Sequence, residues 1–338
     1  MTKRRFLSLI LCLAMCLAVM PCTTAMASSP SIRGYSTTAQ TVYTGPSSSN
    51  YASIGSISNG EQIYVLGQER GWYHIVYNVN SGGQKSGYVP ISNVRNISGG
   101  TPAEDDFWGG YAISNVAQTV YSCDDYSTKL SIGSISAQEG VTRLYGYNST
   151  ASNGQTYSVL FIEYSTSSGA KRGYVFNPNF SYPYSETCVG RMTMGCNTYY
   201  GAYSSLSYWD GCSFAKAGFV GNGEYVAVLA KNGDHMYIEY NTSAGRKRGH
   251  VSSTYVALYH SPGHFADVPF YSSGTITLST GYKDVRSGPG SAYPVIGSVS
   301  NEDVVMWLGM KINGYRICQY KVTGTSTVKT GYLPAGPW

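Results

Sequence analysis

The chain has 338 residues, of which only 12% are charged, and it carries 40 glycines and 32 tyrosines. So few charges exclude long solvent-exposed helices, and so many aromatics exclude extended disorder; this composition favours short strands joined by turns. The length allows two to four domains.

At the N-terminus, Lys3, Arg4 and Arg5 precede an apolar run from Phe6 to Met20, and Ala25-Met26-Ala27 matches a small-x-small cleavage pattern. Residues 1–27 therefore read as a secretory signal peptide, with the mature chain starting at Ser28. The apolar run is shorter than the roughly 20 residues of a membrane span, so no span is expected. Pro21, directly before Cys22, fits lipid attachment poorly. Removing three basic residues takes the formal charge from +5 to +2, which gives a nucleic-acid partner no support. Five cysteines remain of eight, an odd number for an oxidising compartment.

Beyond the leader the chain repeats itself. The anchors Ile54-Gly55-Ser56-Ile57, Ile132-Gly133-Ser134-Ile135, Ala217-Gly218-Phe219-Val220 and Ile296-Gly297-Ser298-Val299 are each followed by an acid: Glu61, Glu139, Glu224 and Asp303. An apolar strand comes next, then a strand ending in Tyr77, Tyr164, Tyr240 or Tyr320. Each copy closes on a glycine (Gly87, Gly173, Gly249, Gly331), and these lie 86, 76 and 82 residues apart. Units of about 80 residues are large enough to close separate cores, unlike the 20–50-residue repeats of solenoids. The boundaries read as modules at 35–95, 107–180, 188–258 and 268–338. Between the first two, Ser92 to Asp106 contains Ser98-Gly99-Gly100-Thr101-Pro102 and reads as a flexible connector. Ahead of the fourth, Thr275-Ile276-Thr277-Leu278 alternates like an additional strand.

The fourth copy contains Lys283 to Ser300, KDVRSGPGSAYPVIGSVS: a short strand, a Ser-Gly-Pro-Gly turn and a second strand. This order, with Tyr293, Pro294 and Gly297 in place, resembles the signature of bacterial SH3 (SH3b) domains. The first copy keeps the family's turn in Tyr43-Thr44-Gly45-Pro46 and its Gly-Trp strand start in Gly71-Trp72. The second copy has Ser122-Cys123-Asp124-Asp125 at the turn and Val159 at the Trp position. The third lengthens the early loop over Tyr203 to Lys216 and has His235 at the Trp position.

The resemblance implies an all-β protein of four tandem SH3-like small barrels joined by short linkers. It further implies a secreted, wall-associated, non-catalytic protein that binds peptidoglycan peptide or an associated cell-wall polymer. A secreted adhesin or structural protein recognising a protein or host glycan is the alternative. Candidate ligand-binding residues are Tyr43, Tyr51 and Trp72 in the first copy and Tyr293 and Tyr315 in the fourth, in the region that forms the ligand groove of SH3-like barrels. The competing reading, that such rings are core or inter-module contacts, stands beside it. Lys171-Arg172 and Arg246-Lys247-Arg248 read as solvated hairpin tips within reach of anionic polymers.

Other chemistry finds little support. Asp210-Gly211-Cys212-Ser213-Phe214 is superficially like the Asp-Cys-Ser-Gly motif of wall peptidases, but Gly211 interrupts it and no helical pattern follows. No catalytic residue, cofactor or metal is expected: His260 and His264 are separated by Ser-Pro-Gly and lack a third ligand. Cys196 and Cys212 flank the lengthened loop and are the favoured disulfide, with Cys123 and Cys188 pairing, free or joined in trans. Cys318 aligns with core isoleucines and reads as a buried thiol.

Overall fold

The structure, a computed structural model, describes residues 32–336 except 106, 108, 152–153, 184–186, 202–208, 210, 233, 259–272, 276–280 and 302. The proposed leader, His260 and His264, Asp210 and Ile276 to Leu278 therefore lie outside the described residues.

The first module is built from β1 (Ile32–Ser36), β2 (Gln40–Tyr43), β3 (Ser53–Ile57), β4 (Gln62–Glu69), β5 (Trp72–Asn78), β6 (Gln84–Pro90) and β7 (Val94–Ser98), with a 3-10 turn at Ile91–Asn93. They form one antiparallel sheet in the order β3-β2-β6-β5-β4-β1-β7. Alternation along β4 buries Ile63 and Val65 with Val42, Ile57, Ile75, Tyr77 and Val89. A bulge between Val65 and Gly67 bends β4 around this core.

The second module repeats the order with β8 (Tyr111–Ser114), β9 (Gln118–Tyr121), β10 (Ser131–Ile135), β11 (Gly140–Thr150), β12 (Thr156–Thr166), β13 (Gly169–Phe176) and β14 (Phe180–Ser181). The third has β15 (Cys188–Met192), β16 (Cys196–Tyr199), β17 (Ser213–Phe214), β18 (Lys216–Val220), β19 (Tyr225–Asn232), β20 (His235–Tyr240), β21 (Lys247–Ser252) and β22 (Val256–Leu258). The fourth has β23 (Ser273–Thr275), β24 (Tyr282–Arg286), β25 (Val295–Ser300), β26 (Val304–Ile312), β27 (Tyr315–Lys321) and β28 (Thr327–Pro334). Its seventh strand is β17, lent by the third module and paired parallel to β28. The protein is thus all-β, with four seven-stranded sheets.

The repeated anchors turn out to be contacts. A Cβ on Gly55 would fall 2.4 Å from the Tyr77 hydroxyl, and Gly133, Gly218 and Gly297 meet Tyr164, Tyr240 and Tyr320 in the same way. The glycine leaves room for the tyrosine. The recurring acids close turns: Glu61 accepts from the Ser58 backbone at 2.7 Å, Glu139 from Ser136 at 2.8 Å and Glu224 from Gly221 at 2.9 Å.

Neighbouring modules exchange edges. Asn50 and Ala52, in the β2–β3 loop, bond the backbone of Ala170 at the start of β13 (both 3.0 Å), and the Thr44 hydroxyl reaches the Ala170 carbonyl. In return Thr128 and Ser122, in the β9–β10 loop, accept from Gln84 (2.9 Å) and Ser86 (2.8 Å) of β6, while the Ser122 hydroxyl donates to the Gln84 carbonyl. The third and fourth modules do the same, through β17 on β28 and through the Ser287 hydroxyl on the Arg246 carbonyl at 2.9 Å.

Two expectations are overturned. Ser92 to Asp106 is not a flexible connector: β7 pairs with β1, and Ala103 and Asp105 exchange backbone bonds with Gln68 at 2.8 and 2.9 Å. The Cys196–Cys212 disulfide is absent, and all five cysteines of residues 32–336 are free. Cys196 packs on the third module's core, whereas Cys212 leaves with the lent strand and packs on a cluster containing fourth-module residues. Cys318 is buried, as expected.

Candidate functional site

Strand pairing sets Glu163 opposite Arg172 and Glu239 opposite Arg248. Each pair sits on a face that the neighbouring modules cover, and the ion pairs extend across those boundaries. Arg172 bonds Glu163 of its own module at 3.0 Å, and Glu69 (2.8 Å), Tyr88 (3.0 Å) and Tyr51 (3.0 Å) of the first. Arg248 bonds Glu239 at 2.8 Å and the Tyr332 phenol of the fourth module at 2.6 Å. Arg246 joins the halves: it donates to Glu239 (2.6 Å), Asn241 (2.7 Å) and Thr142 of the second module (2.6 Å), and Asn241 donates to Glu163 at 2.7 Å.

The result is one buried network of three arginines and three glutamates that touches all four modules. Burial raises the Glu69 carboxyl above its ordinary range against the opposing pull of Arg172. Buried ions require such pairing, because an isolated charge at these positions would lose its hydration without compensation. The arrangement has matched halves: Arg172, Glu163, Tyr51 and Tyr88 correspond to Arg248, Glu239, Tyr293 and Tyr332.

Two of the five candidate ligand residues belong to this network. Tyr51 and Tyr293 are 4% and 2% exposed, and their phenols donate to Glu163 (2.7 Å) and Glu239 (2.8 Å) of adjacent modules. The basic hairpin tips are likewise not free in solvent: Arg172, Arg246 and Arg248 are buried, and Lys171 and Lys247 donate to the carbonyls of Ile132 and Ala217 in the repeated anchors.

Tyr43, Trp72 and Tyr315 remain partly exposed. Tyr43 and Trp72 come together at 5.9 Å with rings at 89°, from β2 and β5, the two strands that flank β6. The second module, which lacks the tryptophan, rebuilds the pair from another strand: Phe176, at the end of β13 opposite Val159, meets Tyr121 at 5.6 Å and 80°. Tyr126 joins them, 5.3 Å from Phe176 and stacked 4.0 Å from Tyr157. Sequence comparison at the Trp position alone missed Phe176; cross-strand register was the signal that finds it.

In the third module the same region is a cleft of about 140 Å³ lined by Tyr199, His235, His250, Phe214 and Tyr255. His250 is stacked on Tyr237 at 4.8 Å and buried, and burial pushes its pKa down to about 3, helped by nearby His235. One ring nitrogen approaches the Tyr199 carbonyl without reaching hydrogen-bond geometry.

Comparison of the chain with family models, with curated proteins and with solved structures finds no match. No helix among the described residues is long and apolar enough to cross a membrane, and no group of three or more metal-ligating side chains occurs among them.

Proposed function

We propose that this protein is a secreted, non-catalytic binding protein whose modules are SH3-like and attach to peptidoglycan peptide or an associated wall polymer. The observation that carries this reading is the recurrence of a partly exposed edge-to-face aromatic pair at one place in the sheet, Tyr43–Trp72 and Tyr121–Phe176. Such pairs present flat apolar faces with a polar rim, suited to sugar rings and to extended peptide. Their reconstruction from different strands argues for a surface kept for contact with a ligand, since a purely local packing need would not return the same geometry from Phe176.

The buried network changes how several weak sites would act together. With the modules locked by shared strands and ion pairs, the faces are held at fixed separations, so their combined affinity depends on the spacing of the polymer's repeats. Co-sedimentation of the mature chain with purified sacculi, with and without their anionic polymers, tests the reading. Binding to both preparations supports peptidoglycan, and loss on stripping supports the associated polymer. No co-sedimentation with either removes wall binding.

A further inference from the structure

The second module holds a cation against its aromatic pair and the neighbouring Tyr126. The Lys129 ammonium lies 3.2 Å from the centroid of Tyr126, 4.9 Å from Tyr121 and 5.2 Å from Phe176, and donates to the Tyr126 carbonyl at 3.0 Å. Three rings around one ammonium form a site whose electron-rich faces select positive charge. The lysine is there because of its loop. Backbone pairing places Lys129 opposite Gln84 as it places Tyr51 opposite Ala170, so the two residues occupy one position in successive modules. In the first module Tyr51 turns inward onto Gly45, where a Cβ would fall 2.3 Å from its ring. In the second the glycine is Cys123, and Lys129 turns outward onto the rings.

The Tyr43–Trp72 pair has the geometry of Tyr121–Phe176, but Ser48 stands where the second module has Tyr126, and at the position of Lys129 the loop supplies Tyr51, which points away. Among the described residues no cation lies over either ring. Indole is also a stronger acceptor of cations than the phenyl ring it replaces. We infer that the Tyr43–Trp72 face receives a primary ammonium group from its ligand, in the place that Lys129 fills in the second module, where the chain occupies its own site. This rests on reading the aromatic face as a ligand surface, and it specifies the ligand: a polymer or peptide bearing free amines, such as a diamino-acid side chain or an amino terminus.

The experiment follows indole and ring resonances of the full mature chain, Trp72 being assigned with Trp72→Phe, during titration with Nα-acetyl-lysinamide or the uncharged Nα-acetyl-norleucinamide. Trp72 is expected to respond to the lysine derivative with at least about fivefold tighter binding. Lys129→Met, with Lys129→Gln as a second variant, is expected to open a second amine site reported by Tyr126 and Phe176. Equal response to both probes, or no Trp72 response up to ~10 mM lysinamide, overturns the inference. A variant that folds but gains no site overturns the equivalence on which it rests. Walls that still sediment the protein after such a failure leave the wall reading standing; amine binding without wall sedimentation does the reverse.

Discussion

Tyr51 donates its phenolic proton to Glu163 of the next module at 2.7 Å, and so ties the signature tyrosine of one repeat to the buried ion pair of another. Tyr293 makes the matching bond to Glu239 at 2.8 Å. Removing either hydroxyl leaves a buried carboxylate short of one donor, which costs about 1–3 kcal/mol. Tyr51→Phe and Tyr293→Phe are therefore expected to lower the denaturant midpoint clearly. Tyr35→Phe, at an exposed position, should change stability by less than ~0.5 kcal/mol.

The glycine of the same signature makes room for that ring. A Cβ on Gly288 would lie 2.1 Å from Tyr293, so Gly288→Ala must displace it. The expected loss is about 1–3 kcal/mol. It should be less than additive with Tyr293→Phe, because the shifted ring already forfeits the bond to Glu239. Additive losses in a double-mutant cycle would show that the two residues act separately.

Arg172 is held by both Glu69 and Glu163. Arg172→Met takes the counter-charge from Glu69 and leaves Glu163 with the neutral donors Tyr51 and Asn241, and is expected to destabilise the protein by about 3–5 kcal/mol. Glu69→Gln keeps a polar partner and removes one charge, so its cost should be smaller. Calorimetry of the two variants checks the order.

His250 gives the protein an acid-sensitive point. The unfolded chain takes up this proton near the ordinary value of 6.5, whereas the folded chain does so only near 3. Its contribution to stability is therefore complete above pH 6.5 and is lost as pH falls from 6.5 towards 3, by up to about 4 kcal/mol. Carboxylates titrate in part of the same window, so the informative quantity is the difference from His250→Tyr, which installs the residue that Tyr88, Tyr174 and Tyr332 supply in the other modules. The variant is expected to flatten the stability profile between pH 4 and pH 6.5.

Much of the fold was legible because it is repeated. The anchors Gly55 and Tyr77 recur in every copy, and the all-β architecture follows from strands whose buried residues alternate. What could not be read was where the tyrosines point. Tyr43 ends β2 and Tyr51 lies eight residues on, in the loop that follows, yet one stands beside Trp72, partly exposed, and the other turns inward to Glu163. That difference depends on Gly45 beneath the ring and on a glutamate 112 residues away. The charges misled for the same reason. Arg172 and Arg246 follow polar turns, each with one glycine, and look solvated until the neighbouring module covers them, and the pairing of Cys196 with Cys212 failed because β17 crosses to another sheet.

The central claim, that the recurring aromatic faces are the binding surface, is tested most directly by sacculus binding of the protein carrying Trp72→Ala and Phe176→Ala together. The comparison is Tyr51→Phe, which weakens the module boundary and leaves both faces in place. The account predicts that the double variant, folded by circular dichroism, loses at least about tenfold in affinity, as truncation of central aromatic contacts does, while Tyr51→Phe binds like the unaltered protein. Undiminished binding by the folded double variant would contradict it.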